Sequence, residues 1–125
     1  MSTPVEITEI ICRKKSQYGR YINTKQWDKS DQVALPDAEL MFFDTDGSLL
    51  KTGNTSFAFP SSTAFTEFFT NFFANAQMLH IFGPGELQLK AIDEVGAIWG
   101  MEDQIILKHA MGSVEIRGGG YYHET

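Results

Sequence analysis

Residues 65–85 read FTEFFTNFFANAQMLHIFGPG, and this stretch packs six phenylalanines and one histidine into twenty-one positions. Phe65, Phe68, Phe69, Phe72 and Phe73 recur at i, i+3, i+4, i+7 and i+8, which is one face of a helix, and Thr66, Glu67, Thr70 and Asn71 take the other face. Ser61 or Ser62 can cap that helix. Beyond Asn75 the period drops to two, so residues 77–82 read as a strand, and Gly83-Pro84-Gly85 breaks it. The strand carries one titratable side chain, His80, flanked by Met78, Leu79, Ile81 and Phe82.

Upstream, Thr3, Pro4 and Glu6 have the order of a capping box with proline at the first helical position. Ile7, Ile10, Ile11, Tyr18, Tyr21 and Ile22 follow at helical spacing, with Lys14 breaking the stripe, and predict a helix over 4–22. A short second helix is expected after Thr24, with Trp27 and Val33 inward, ending before Pro36. Residues 38–53 then read as a hairpin turning at Asp46-Gly47. Downstream of the break, residues 86–92 alternate, a longer strand runs over about 95–106 with Ala97, Trp99, Met101 and Asp103 on one face, and a last strand begins near Ser113. Helices first and strands afterwards predict an α+β domain, a mainly antiparallel sheet covered on one face.

The length of 125 residues fits one domain, expected over 1–125. Ten basic against sixteen acidic residues give a formal charge of −6 with no basic stripe, which argues against a nucleic-acid partner. The N-terminus has neither a basic region nor an apolar core, and no run of about 18 apolar residues occurs, so neither a signal peptide nor a membrane partner is expected. The single cysteine, Cys12, cannot form an intrachain disulfide and points to a reducing compartment, hence a cytoplasmic address.

Three segments carry a likeness beyond these patterns: YGRYINTKQWDKSDQVALPDAEL at 18–40, MLHIFGPGEL at 78–87, and GGGYYHET at 118–125. In this order they resemble the SnoaL-like group of small cyclases, isomerases and dehydratases, within the nuclear-transport-factor-2-like superfamily. The resemblance implies a cone: a curved, mainly antiparallel sheet covered by three N-terminal helices. Residues 22–28, INTKQWD, are also similar to the YDSKDWD segment of scytalone dehydratases. In those enzymes an aspartate on the first helix orients a proton-transferring histidine, and His80 falls at the histidine position. Asn23 stands where the aspartate is expected, and an amide cannot stabilise an imidazolium as a carboxylate does. The family also supplies one more strand after the one ending at Thr125. Either that strand is missing or the sheet closes another way, such as through a partner subunit.

His80 and Asp103 are the candidate catalytic pair. A histidine in an apolar strand is lowered by desolvation to a neutral base, and a carboxylate facing it across a pocket supplies the complementary acid. The plainer readings are a core histidine bonded to a backbone carbonyl and a solvated acid at a strand end. Tyr18, Asn23, Tyr121 and His123 are candidate polar contacts to substrate, although Tyr121 and His123 share one face of the last strand while Tyr122 and Glu124 share the other. Met41, Phe43, Phe59, Phe68, Phe72, Trp99 and Met101 are candidate apolar contacts, the alternative for each being plain core packing. Asp44-Thr45-Asp46-Gly47 lacks the remaining oxygens of a calcium loop, and His80, His109 and His123 have no ligand spacing, so no metal or cofactor is expected. Gly118-Gly119-Gly120 is expected to make a bulge or bend.

The expected function is cofactor-free acid–base catalysis (isomerisation, cyclisation or dehydration) on a hydrophobic, polyketide- or terpenoid-like metabolite, by a homodimer associating through the outer sheet face. The alternatives are a non-catalytic ligand-binding or assembly module of the same fold, and a fragment of a larger enzyme.

Overall fold

The computed structural model describes residues 3–109 and 111–125. The chain forms two compact units, one of Met1–Gln26 with Asn75–Thr125 and one of Trp27–Ala74.

The first unit opens with helix α1, Val5–Asn23. Its N-cap is Pro4, whose carbonyl accepts from the Thr8 amide at 3.0 Å with no side-chain cap. The expected Thr3 capping box does not form, and Thr3 Oγ1 is left buried without a partner. The inward face of α1 keeps Tyr21 and Ile22 of the expected stripe buried and adds Lys15 and Gly19 to it, while Ile10 is exposed. Gly19 lets the helix approach the sheet, since a Cβ there would stand 2.9 Å from the Phe82 ring.

Four strands complete this unit: β5, Ala76–Phe82; β6, Glu86–Ala91; β7, Glu94–His109; and β8, Gly112–Glu124, the numbers β1–β4 belonging to the other unit. β5 and β6 run end to end along β7, pairing from Ala76↔Leu107 to Phe82↔Met101 and then from Glu86↔Ile98 to Ala91↔Glu94. The register slips by one residue at Gly83-Pro84-Gly85, and the Gly83 amide keeps a bond to the Gly100 carbonyl at 2.9 Å. The expected break is therefore an irregularity within one long strand. β8 pairs with β7 without interruption from Ala97↔Glu124 to His109↔Gly112. The expected bulge at Gly118–Gly120 is absent: each of the three glycines keeps its partner on β7.

In the second unit, β1 (Leu40–Met41) pairs with β4 (Ala58–Phe59) and β2 (Lys51–Thr52) with β3 (Thr55–Ser56). The turn at Asp46-Gly47 forms as its sequence predicts, with Gly47 at a φ of 86°. Helix α2, Ser62–Phe72, is capped by Ser61, whose hydroxyl accepts from the Ala64 amide at 3.1 Å. The helix expected after Thr24 is a 3-10 segment, Trp27–Gln32, with no buried residue. Asp28, Ser30 and Asp31 compete with the backbone for hydrogen bonds and disfavour a longer helix. Phe42, Phe57, Phe59, Phe65, Phe68, Phe69, Phe72 and Phe73 pack ring against ring, with Phe65 and Phe69 4.6 Å apart at their centroids.

The fold is thus mixed helix and antiparallel sheet. The expectation of three covering N-terminal helices is revised: α1 packs on β5, α2 lies mid-chain in the other unit, and the segment between them is 3-10. No helix among the described residues is long and apolar enough to cross a membrane.

Candidate active site

Directly opposed residues of an antiparallel pair share a sheet face. His80 is opposite Asp103, and Trp99 and Ala97 are opposite Tyr122 and Glu124. Met101 has the same parity, so one face of the sheet carries His80, Phe82, Trp99, Met101, Asp103, Tyr122 and Glu124, and α1 lies against it through Asn23 and Lys15.

Asn23, the last residue of α1, governs the histidine. The backbone N–H of His80 donates to Asn23 Oδ1 at 2.9 Å, and His80 Nδ1 stands 2.8 Å from that same oxygen. An amide N–H can only donate, so the Asn23 atom facing it must be the oxygen. That oxygen can only accept, so Nδ1 must carry a hydrogen. In the neutral ring the free lone pair is therefore on Nε2. Nε2 is 3.9 Å from Asp103 Oδ2, too long for a direct hydrogen bond, and the two side chains are only 7% and 17% exposed. Burial holds the imidazole below its ordinary value of 6.5; the Asp103 carboxylate opposes that shift and the Lys15 cation reinforces it.

Sequence reasoning missed Lys15. Its side chain is 5% exposed, and its ammonium is paired with Glu124 Oε1 and lies 3.8 Å from the Tyr122 ring centre, 4.4 Å from Phe82 and 4.6 Å from Tyr18. Glu124 Oε2 accepts from Trp99 Nε1 at 3.0 Å. Desolvation lowers the lysine and Glu124 raises it against that trend. The signal that could have found it is Gly19: a mid-helix glycine marks a close-packed face, and Lys15 lies four residues earlier on that face.

Of the residues expected at the site, His80, Asp103, Asn23, Tyr18, Trp99 and Met101 fall in the first unit, with Tyr18 6.1 Å from Phe82 and 6.0 Å from Tyr122 between ring centres. Tyr121 and His123 occupy the opposite face of β8, and Tyr121 is 76% exposed, so the tyrosine and carboxylate that share the His80 face are Tyr122 and Glu124. Met41, Phe43, Phe59, Phe68 and Phe72 all belong to the second unit. There Phe59 and Phe68 are engaged with neighbouring rings, while Met41 and Phe43 are exposed.

No family model matches the chain. Over all 125 residues it is 39% identical to Probable cyclase FGR4 of Gibberella zeae and spans 83% of that protein. Among solved structures it resembles Aln2 from a Streptomyces species, with a TM-score of 0.62 and 12% identity over 98% of this chain and 81% of that one. A protein from Novosphingobium aromaticivorans gives a TM-score of 0.60 and 21% identity over 98% of this chain and 80% of that one.

The chain belongs to the SnoaL-like group of the nuclear-transport-factor-2-like superfamily. The SnoaL-like fold accounts for the helix lying against one face of an antiparallel sheet, and the relationship places the chain in a family of small-molecule cyclases and isomerases. In this SnoaL-like chain an imidazole with an assigned tautomer, a facing carboxylate and a caged ammonium lie on the same sheet face.

Proposed function

We propose that the protein is a cofactor-free isomerase or cyclase acting on a hydrophobic polyketide- or terpenoid-like metabolite, with His80 Nε2 as the base and Asp103 as its partner in moving the proton. The observation that carries this reading is the Asn23–His80–Asp103 arrangement: Asn23 Oδ1 holds Nδ1–H, which turns the Nε2 lone pair toward the carboxylate 3.9 Å away. A carbon acid adjacent to a carbonyl would lose its proton to Nε2, leaving an enolate. The imidazolium would return that proton at another carbon or to a leaving hydroxyl. Asn23 does for orientation what an aspartate does elsewhere. Being neutral it leaves the imidazole less basic, which suits a group that must be unprotonated near neutral pH.

The test is exchange of the α-hydrogens of 2-tetralone, a fused-ring ketone, for deuterium in D2O, followed by proton NMR. The wild-type protein should accelerate exchange, His80→Gln should lose about 100-fold or more, and Asp103→Asn should lose less. Exchange by His80→Gln at the wild-type rate would refute the assignment. If no variant exchanges at all, the reading reverts to a ligand-binding module, which the deep burial of Trp99 against Glu124 also suits.

A further inference from the structure

Asp103 lies on the middle strand of three, between His80 on β5 and Gly118 on β8. Its two carboxylate oxygens divide between those neighbours. Oδ2 stands 3.9 Å from His80 Nε2, and Oδ1 fills the space beside Gly118, where a Cβ would come within 2.8 Å of it. The carboxyl carbon would be 3.6 Å from that Cβ. A side chain at 118 could not tolerate so close an oxygen, so the carboxylate holds this place only because residue 118 has none.

Backbone conformation does not call for glycine there. Gly118 has no positive φ and is paired regularly with Asp103. Gly120 lies on the same side of the same strand with an equally ordinary φ, and a Cβ on it would meet nothing within 4 Å. Glycine inside a strand weakens it and often marks a close approach by another group. At Gly118 that group is the Asp103 carboxylate.

The consequence falls on the imidazole. Around His80 stand Asn23, Lys15 and Tyr18 from α1, Asp103 from β7, and Tyr122 with Glu124 on the same face of β8. Of the two carboxylates Asp103 is the nearer, since Glu124 lies opposite Ala97 near the end of β8 and is engaged by Lys15 and Trp99. A carboxylate in direct contact with Nε2, at about 2.7–2.9 Å, would bind the imidazolium through a charge-assisted hydrogen bond and keep the proton on the ring. At 3.9 Å that bond is not made, and with Nδ1–H held by Asn23 the Nε2 lone pair stays open to a substrate.

We propose that Gly118 is a positioning residue for the acid–base pair: its bare Cα seats one oxygen of Asp103, holding the carboxylate out of hydrogen-bond contact with His80 and keeping base and acid separate. The inference rests on the acid–base reading above, but its main readout is a titration that needs no turnover. Met101 and Ile105 flank Asp103 along this face of β7, so a carboxylate driven off residue 118 turns toward His80.

The test is titration of the His80 Cε1 proton by NMR in variants of the whole chain. Gly118→Ala should raise its pKa by about one unit, and the acid limb of tetralone exchange should move up in pH with it. Gly120→Ala adds the same methyl to the same strand with open space to receive it, and should leave both where they are. The effect should run through the carboxylate: in an Asp103→Ala background, Gly118→Ala should leave the His80 titration unchanged. A pKa in Gly118→Ala equal to or below that of the wild type, an equal rise in Gly120→Ala, or a rise that persists without the carboxylate would each overturn the proposal. Should Gly118→Ala not fold, recovery of the fold in Gly118→Ala with Asp103→Ala would support the seat. No recovery would overturn it, because the glycine would then serve the backbone alone. If the wild-type protein exchanges no tetralone while the titrations behave as stated, the acid–base reading fails and the seat for Asp103 stands.

Discussion

Asn23 and His80 show how one atom's chemistry propagates. The amide oxygen accepts from both the backbone and the ring of His80, which assigns the tautomer, and lacking charge it leaves the imidazole's affinity for protons low. Replacing Asn23 by Asp would add a negative charge at Nδ1–H and favour the imidazolium. Titration of the His80 Cε1 proton by NMR should then show a pKa higher than in the wild type, and the acid limb of any activity should move to higher pH with it. The stability consequence has a definite sign. Because the folded value lies below 6.5, the unfolded chain takes up a proton first, and wild-type stability falls as pH drops from about 6.5 toward the folded value. Asn23→Asp should flatten that fall, measured as melting temperature against pH. The His80 position was legible in the sequence because an apolar strand surrounds it, and Asp103 was legible from the alternation of β7. Lys15 was not, because a lysine on a helix is ordinarily solvated, and only the aromatic rings and carboxylate contributed by distant strands make its burial tolerable.

At the scale of elements, period did most of the work. The aromatic helix, the four strands from Ala76 onward and the Asp46-Gly47 turn all follow from spacing and turn chemistry. What spacing could not supply was pairing. That β5 and β6 share one edge of β7, and that Gly118–Gly120 continue a ladder, depends on partners distant in sequence. Thr3 does not cap because the N-cap falls one residue later, at Pro4, which has no side-chain acceptor. α2 offers a direct test of how its aromatic face is spent. Phe69 is 5% exposed and packed against the rings of Phe42, Phe57, Phe59 and Phe73 of its own unit, whereas Phe72 is 45% exposed. Phe69→Ala should cost about 3–5 kcal/mol by urea denaturation, and Phe72→Ala roughly 1 kcal/mol. Equal costs would mean that the rings form one undifferentiated layer.

For the molecule as a whole, the face of the sheet turned away from α1 carries Leu79, Ile81 and Tyr121, all exposed. We propose this apolar patch as the surface through which two copies associate, the outer-face pairing expected from the family resemblance. Sedimentation velocity should show a dimer that Leu79→Lys with Ile81→Lys converts to a monomer of unchanged secondary structure. A wild-type monomer at the same concentration would rule the surface out. The acidic balance of the chain, −6 overall, should make any such association stronger at moderate salt than at low salt.

The bond between Asn23 and His80 spans 57 residues, whereas the His80–Asp103 pairing arises within strands that follow one another along the chain. Closing a long loop costs more entropy than zipping neighbouring strands, so the strand meander can form before the first helix docks on it. The histidine would then already face its carboxylate while its ring remained free to rotate and to exchange tautomers. On the acid–base reading proposed above, helix docking would be what fixes the His80 tautomer, and a variant whose helix is loosened should lose tetralone exchange before it loses its sheet.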